Sequence, residues 1–407
     1  MHATCKLNAK KTQSEDAMYA IKAGHTVLST HVARDGYVLI DNGTFAGFTH
    51  DKPLDMQIVD YSTKWVAPGY VDVHIHGFIG FDVMDAKASE LADVSRALAQ
   101  KGTTSWVPTT LTQTVPQIRT ACAAVAEAEE NQRNAAAEAR NQAHIEGIFL
   151  EGPFFTEKHK GAQNPAHMIN PSIDVLEDWQ KAAHGLICRS GLAPERAGSV
   201  QYCCDATSIG VLCALGHSDA TYEQGMACLD AGANSFIHVY NGMSGLHHRN
   251  PGLVGCAMST CNTFGELICD GMHVNPAAIA AVVRAKGYEH VPLVTDCLRC
   301  GGMPEGDYML GDFPIRMQDN LAHLILEDGS MGSIAGSVLT LQQAVKNLVT
   351  WNIVSAEQAI RMASEVSAKS SGIDDVCGSI LPGRRADFNI LDDDMTVCAT
   401  YIEGKRI

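Results

Sequence analysis

The chain has no long apolar run and no block of Lys or Arg. No stretch of apolar residues approaches the roughly 20 needed to cross a bilayer. Lys and Arg form no run longer than the pairs Lys10-Lys11, Arg384-Arg385 and Lys405-Arg406, and net charge is −16 over 407 residues. That balance argues against nucleic acid or an anionic membrane as the main partner, and an anionic ligand would need a local positive site. The first thirty residues lack the charged start, apolar core and small-residue cleavage site of a signal peptide, so a cytoplasmic protein is expected. There is no internal repeat and no low-complexity tract. The fourteen cysteines show no paired framework spacing and are expected as reduced thiols. Cys188, Cys213 and Cys269 lie inside apolar strands, where a free thiol behaves as a small hydrophobe. The single CxxC, Cys297 to Cys300, is read as core filling.

What is present is an ordinary globular composition, 46% apolar and 19% charged, able to bury a sizeable core. Residues 1 to about 66 hold short strand candidates such as Gly36-Tyr37-Val38-Leu39-Ile40, broken by turn signals. From Pro68 onward, short apolar runs recur at 71–75, 103–108, 145–150, 185–192, 209–215, 233–239, 265–269 and 291–294. Stretches of helical periodicity lie between most of them, among them 88–100, 115–139, 222–231 and 276–286, and two more follow at 337–350 and 356–364. The Ala/Glu-rich stretch 121–140 is read as a solvated helix. Eight strands with intervening helices predict an α/β fold closed as a (β/α)8 TIM-type barrel over residues 67–378. Strand-like text returns after Ile380. Because a few short strands cannot bury a face alone, residues 1–66 and 379–407 are expected to combine into one small β-sandwich domain.

Side chains two apart on a strand point the same way, so His74 and His76 of Val71-Asp72-Val73-His74-Ile75-His76 face one site together. Imidazole nitrogens so placed suit a metal. An HxH pair alone is weak. Its weight comes from Glu151, His217, His238 and Asp296, each also expected at a strand end, and active sites of such barrels lie at those ends.

From Pro68 onward the chain resembles the amidohydrolase superfamily and, within it, the N-acetylglucosamine-6-phosphate deacetylase family. The strings that carry the resemblance are Pro68–Gly77, Glu151-Gly152-Pro153-Phe154, Gly161-Ala162-Gln163-Asn164-Pro165 and Leu215-Gly216-His217-Ser218. They continue with His238-Val239-Tyr240-Asn241-Gly242-Met243, His248-Arg249-Asn250-Pro251-Gly252, Asp270-Gly271-Met272-His273-Val274, Leu293-Val294-Thr295-Asp296 and Ile334-Ala335-Gly336-Ser337. The His-Val-Tyr-Asn and Asp-Gly-Met-His-Val blocks are the more specific; the HxH is shared across the superfamily.

The resemblance implies a metal-dependent hydrolase that removes acetate from an N-acetylated sugar phosphate. Glu151, His217 and His238 correspond to ligands of the principal divalent ion (zinc, iron, manganese or cobalt). His74 and His76 would complete a second site, giving one or two ions per subunit. Asp296 corresponds to the acid–base aspartate that takes a proton from metal-activated water and returns it to the departing amine. Ala162, Gln163, Asn241, Gly242, Arg249, Asp270, His273, Ile334, Ala335 and Gly336 fall at substrate positions, with Arg249 and His273 as phosphate contacts. The arginine reaches across a dimer interface in the family, which implies a homodimer. Two positions depart from the pattern: Gln163 stands where many relatives have histidine, and Gly242 where alanine is usual. The rival readings are cyclic-amide hydrolysis or deamination on the same scaffold, and a non-catalytic protein that kept the fold. Retention of Asp296 argues against the second.

Overall fold

The computed structural model describes residues 18–136 and 140–407. The run from Tyr70 to Val294 supplies eight parallel strands in barrel order. They are Tyr70–Ile75, Thr103–Thr110, Ile148–Phe154, Ile187–Leu192, Leu212–Leu215, Ala233–Phe236, a seventh in two pieces (Phe264–Gly265 and Leu267–Ile268), and Leu293–Val294. The seventh is split by Glu266: its first piece pairs with strand six and its second with strand eight. A parallel bridge between Ile75 and Cys297 joins the end of strand eight back to strand one and closes the ring.

Helices cover the outside for the reason the periodicity gives. Ala88–Ala99 turns Leu91, Val94 and Leu98 inward at helical spacing and is capped by Glu90, whose carboxylate accepts from the Lys87 N–H. Val115–Asn134 begins with a proline in its first turn and buries Ala121, Cys122, Val125, Ala126 and Ala128. This helix is therefore not a wholly solvated one: one face is core, and its predicted extension over 137–139 lies outside the described residues. Predicted helix 337–350 starts at Leu341, after a loop that carries part of the site.

The segments on either side of the barrel meet as expected, in one mixed seven-stranded sheet. Tyr19–Val27, Val32–Asp41, Thr44–Thr49 and Gln57–Pro68 join Phe388–Leu391, Val397–Ile402 and Lys405–Arg406. The sheet curls until its wings meet. Phe45, from one edge strand, packs on Phe388 with ring centroids 6.0 Å apart, and Phe45 N–H donates to the Arg384 carbonyl. Gln57–Pro68 runs through Gly69 straight into barrel strand one; a Cβ at Gly69 would overlap the Thr104 side chain, so only glycine allows that approach.

One element has no counterpart in the sequence reading. Gly306–Leu310, Phe313–Gln318, Leu321–Ile325 and Met331–Ile334 form an antiparallel four-stranded sheet between strand eight and the next helix. It packs Leu310, Ile315, Met317 and Ala322 against Leu111, Leu298 and Ala335, over the barrel mouth.

The cysteines of the described residues are free thiols. Cys297 and Cys300 are fully buried, as core filling requires.

Candidate active site

Three of the expected residues share a backbone signature. His217, His238 and Asp296 each lie two positions beyond the last residue of strands five, six and eight. All three have positive φ, at 44°, 26° and 50°. Non-glycine residues rarely adopt this conformation, and it costs on the order of 1–3 kcal/mol each, so surrounding structure must hold them there. Here it turns the side chains off the strand ends into the barrel mouth. Glu151 lies within strand three rather than at its end, but the ladder to strand four breaks between Leu150 and Phe154, freeing its carboxylate to face inward.

Four imidazoles converge on that carboxylate. Glu151 Oε1 is 3.2 Å from Nε2 of both His217 and His238 and 3.4 Å from Nε2 of His74. Glu151 Oε2 is 3.2 Å from His76 Nε2. Two buried triads result, His74/His76/Glu151 and Glu151/His217/His238, in each of which the ligand atoms lie within 4.8 Å of one another. Behind them every Nδ1 meets an acceptor: the carbonyls of Thr109, His159 and Asn241 for His76, His217 and His238, and the Glu266 carboxylate for His74. That turns each Nε2 toward Glu151, and His74 Nε2 is buried with no hydrogen-bond partner. Nitrogen and carboxylate donors arranged this way fit a divalent cation.

Asp296 sits beside both halves, its Oδ1 3.2 Å from His76 Nε2 and 3.6 Å from His74 Nε2. Burial would push its carboxyl up, but the His76 hydrogen bond and the neighbouring imidazoles outweigh it and hold it below the usual carboxylate range. The same competition keeps the Glu151 carboxyl well below that range. Thr295, its neighbour in the chain, ties strand eight to strand one by donating from Oγ1 to Asp72 Oδ2 at 2.7 Å. Asp72 is fully buried, and desolvation pushes it up to about 7 despite the Thr295 bonds.

The pocket above is lined by His76, Glu151, Ala162, Gln163, His217, His238, Asn241, Gly242, His273, Asp296, Ile334, Ala335 and Gly336, joined by Leu111 and by Leu310 of the added sheet. Three expected site residues are elsewhere. His74 lies beneath the floor. Asp270 stands behind His273, accepting from its Nδ1 at 2.6 Å and from two backbone N–H groups. Arg249 is exposed on the loop after strand six, against His248, and does not line this pocket. Burial would depress the His273 imidazole, yet the Asp270 hydrogen bond and charge hold it above its ordinary value.

The amidohydrolase family profile matches residues 262–407. Over 397 residues the chain is 36% identical to an N-acetylglucosamine-6-phosphate deacetylase from Vibrio furnissii, covering 97% of this chain and 96% of that one. It is 34% identical over 371 residues to an N-acetylgalactosamine-6-phosphate deacetylase from Escherichia coli O157:H7, covering 91% and 94%. The N-acetyl-D-glucosamine-6-phosphate deacetylase of Mycobacterium smegmatis, solved with N-acetyl-D-glucosamine-6-phosphate, superposes with a TM-score of 0.87 at 26% identity, over 96% of this chain and 99% of that one. The chain belongs to the N-acetylglucosamine-6-phosphate deacetylase family.

Both departures from that family's pattern have a local physical reason. The amide nitrogen of Gln163 donates to Glu151 Oε2 and its carbonyl accepts from Thr112 N–H, so its head group is engaged within the wall. Gly242 has φ 59°, and a Cβ there would come within 2.9 Å of His217 Nδ1. Sequence reasoning missed Asp72, Arg189 and Glu266. A signal existed for the last two: each is one charge, of opposite sign, inside a strand otherwise expected to be apolar.

Proposed function

We propose that the protein hydrolyses the acetamide of N-acetyl-D-glucosamine 6-phosphate to D-glucosamine 6-phosphate and acetate. The observation that carries this reading is one pocket with Asp296, Glu151, His76, His217 and His238 at its floor, His74 directly beneath them, and His273, backed by Asp270, in its wall. Glu151, His217 and His238 would hold one divalent ion, and His74 and His76, with Glu151, a second. Such an ion, when bound, acidifies water (to a pKa of about 7 in favourable zinc sites) and polarises a carbonyl.

The chain's own residues do the rest. Asp296 accepts a proton from the attacking water as its oxygen bonds to the acetamide carbon. It then delivers that proton to the nitrogen as the C–N bond breaks, so the sugar leaves as an amine and the acyl group as acetate. His273, whose hold on its proton Asp270 strengthens, takes the phosphate. Asn241, Gly242, Ala162 and the Ile334–Gly336 segment shape the sugar pocket. Arg249, too far out to serve this pocket, completes the phosphate site of a neighbouring subunit in a homodimer. Residues 67–378 act as the catalytic domain, with the curled sheet as its support.

No helix among the described residues is long and apolar enough to cross a membrane. The test is acetate release by metal-loaded protein from N-acetylglucosamine 6-phosphate, run beside its galacto epimer and the unphosphorylated sugar. Preference for the phosphorylated gluco compound supports the assignment. Turnover of none of the three redirects it to another amide on this scaffold.

A further inference from the structure

Of the four imidazoles around Glu151, three are backed by a backbone carbonyl and one by a charge. His74 Nδ1 lies 2.9 Å from Glu266 Oε2, with both side chains wholly buried. Glu266 occupies the gap between the two pieces of strand seven and meets three partners. Besides His74 these are the His238 backbone N–H, 3.2 Å from Oε2, and the Arg189 guanidinium, 2.5 Å from Oε1. Arg189 is also fully buried. It donates to the Val73 carbonyl and to Ser235 Oγ and lies 4.3 Å from the centre of the Phe149 ring. Neither Glu266 nor Arg189 lines the pocket.

We propose that Glu266, anchored by Arg189, is a positioning residue that fixes the Nδ1–H tautomer of His74, and that it thereby determines whether the His74/His76 half of the site takes a cation. The inference rests on reading the site as a metal centre. A carboxylate only accepts, and Arg189 and the His238 N–H only donate, so His74 must present a proton on Nδ1. A neutral imidazole has one N–H and one lone pair, which places the lone pair on Nε2, facing Glu151 and Asp296 at 3.4 and 3.6 Å. A buried Arg–Glu pair gains little over apolar residues of the same volume. Its place beneath this histidine is explained by what it does to the ring. A carbonyl accepts Nδ1–H equally well, but it cannot also hold Arg189 and the His238 backbone, so Glu266 locks the floor and the ligand together.

The experiment uses full-length protein and zinc alone, with no substrate, so its outcome is separable from that of the deacetylase assignment. Ring-nitrogen NMR of zinc-loaded wild type, with His74 assigned by its loss in His74→Gln, should show the proton on Nδ1 and zinc on Nε2. Glu266→Gln keeps volume but turns an amide against a donor. Zinc titration of E266Q should show second-ion affinity reduced about 10–100-fold, the usual cost of losing such a support, with first-ion affinity unchanged. Should E266Q not fold, the wild-type spectrum still decides. Ligation through His74 Nδ1, an unligated His74 at saturating zinc, or an E266Q that binds the second ion as wild type does overturns the proposal.

Discussion

Gln163 sets its amide nitrogen 2.5 Å from Glu151 Oε2 while its own carbonyl accepts from Thr112 N–H at 2.8 Å. The residue therefore holds the carboxylate that both triads share. Gln163→Ala removes a hydrogen bond to a charged group, a loss of about 1.5–3 kcal/mol, and leaves a buried N–H unpaired. We expect a lower melting temperature and a kcat/KM down roughly tenfold. Steady-state kinetics with thermal unfolding on one preparation checks both, and an unchanged kcat/KM would mean that Glu151 needs no such support.

Asp296→Asn keeps the size of the side chain and removes its basicity. Metal content per subunit should stay at the wild-type value while kcat falls by on the order of 10²–10⁴, the usual worth of a positioned acid–base group. Near-normal turnover by a metal-replete variant would remove Asp296 from the proton transfers.

His273 gives a pH dependence with a definite sign. Its folded-state pKa is raised, so the cation, and any stability it contributes, is fully present below the ordinary imidazole value and is lost as pH climbs through the raised one. KM for the phosphorylated sugar should rise as pH climbs through that raised value. In Asp270→Asn the rise should begin at lower pH. An unphosphorylated substrate should show neither shift, and parallel KM profiles for the two substrates would refute the assignment.

Asp312, at the turn between the first two strands of the added sheet, accepts from Asn164 Nδ2 at 2.8 Å and lies 3.2 Å from His167 Nε2. It clasps the loop that carries Ala162 and Gln163. The contact is exposed, so Asp312→Ala should change stability by no more than about 1 kcal/mol. KM should rise several-fold at nearly constant kcat. Equal KM values in variant and wild type would show that the loop stays in place without the clasp.

The barrel and the candidate site were legible for one reason: parallel strands buried on both faces spell out as short apolar runs, and candidate site residues near their ends stand out as polar interruptions. His217, His238 and Asp296 were visible in this way. The sheet over 306–334 was not. Its strands alternate half-buried and exposed positions, as in Gly306–Leu310, and carry charges such as Asp307 and Arg316, so they read as loop. Glu266 and Arg189 were passed over because each looks like an isolated exception until the fold sets them 2.5 Å apart. Arg249 was named in sequence, but its place outside the pocket needed the three-dimensional path of the loop after strand six.

The pairing of Gln57–Pro68 with Phe388–Leu391 sets an order of events during synthesis. Ala67 is matched with Asn389, and a few residues further on the same stretch of chain carries His74. While translation proceeds, the strand leading to the histidine pair has no neighbour on that side until residue 391 has left the ribosome. Contacts so distant in sequence form late. The strand that carries the histidine pair is thus expected to be fully supported only when translation is nearly finished, and an arrested chain ending near residue 380 would expose an open edge where the finished protein has a closed sheet.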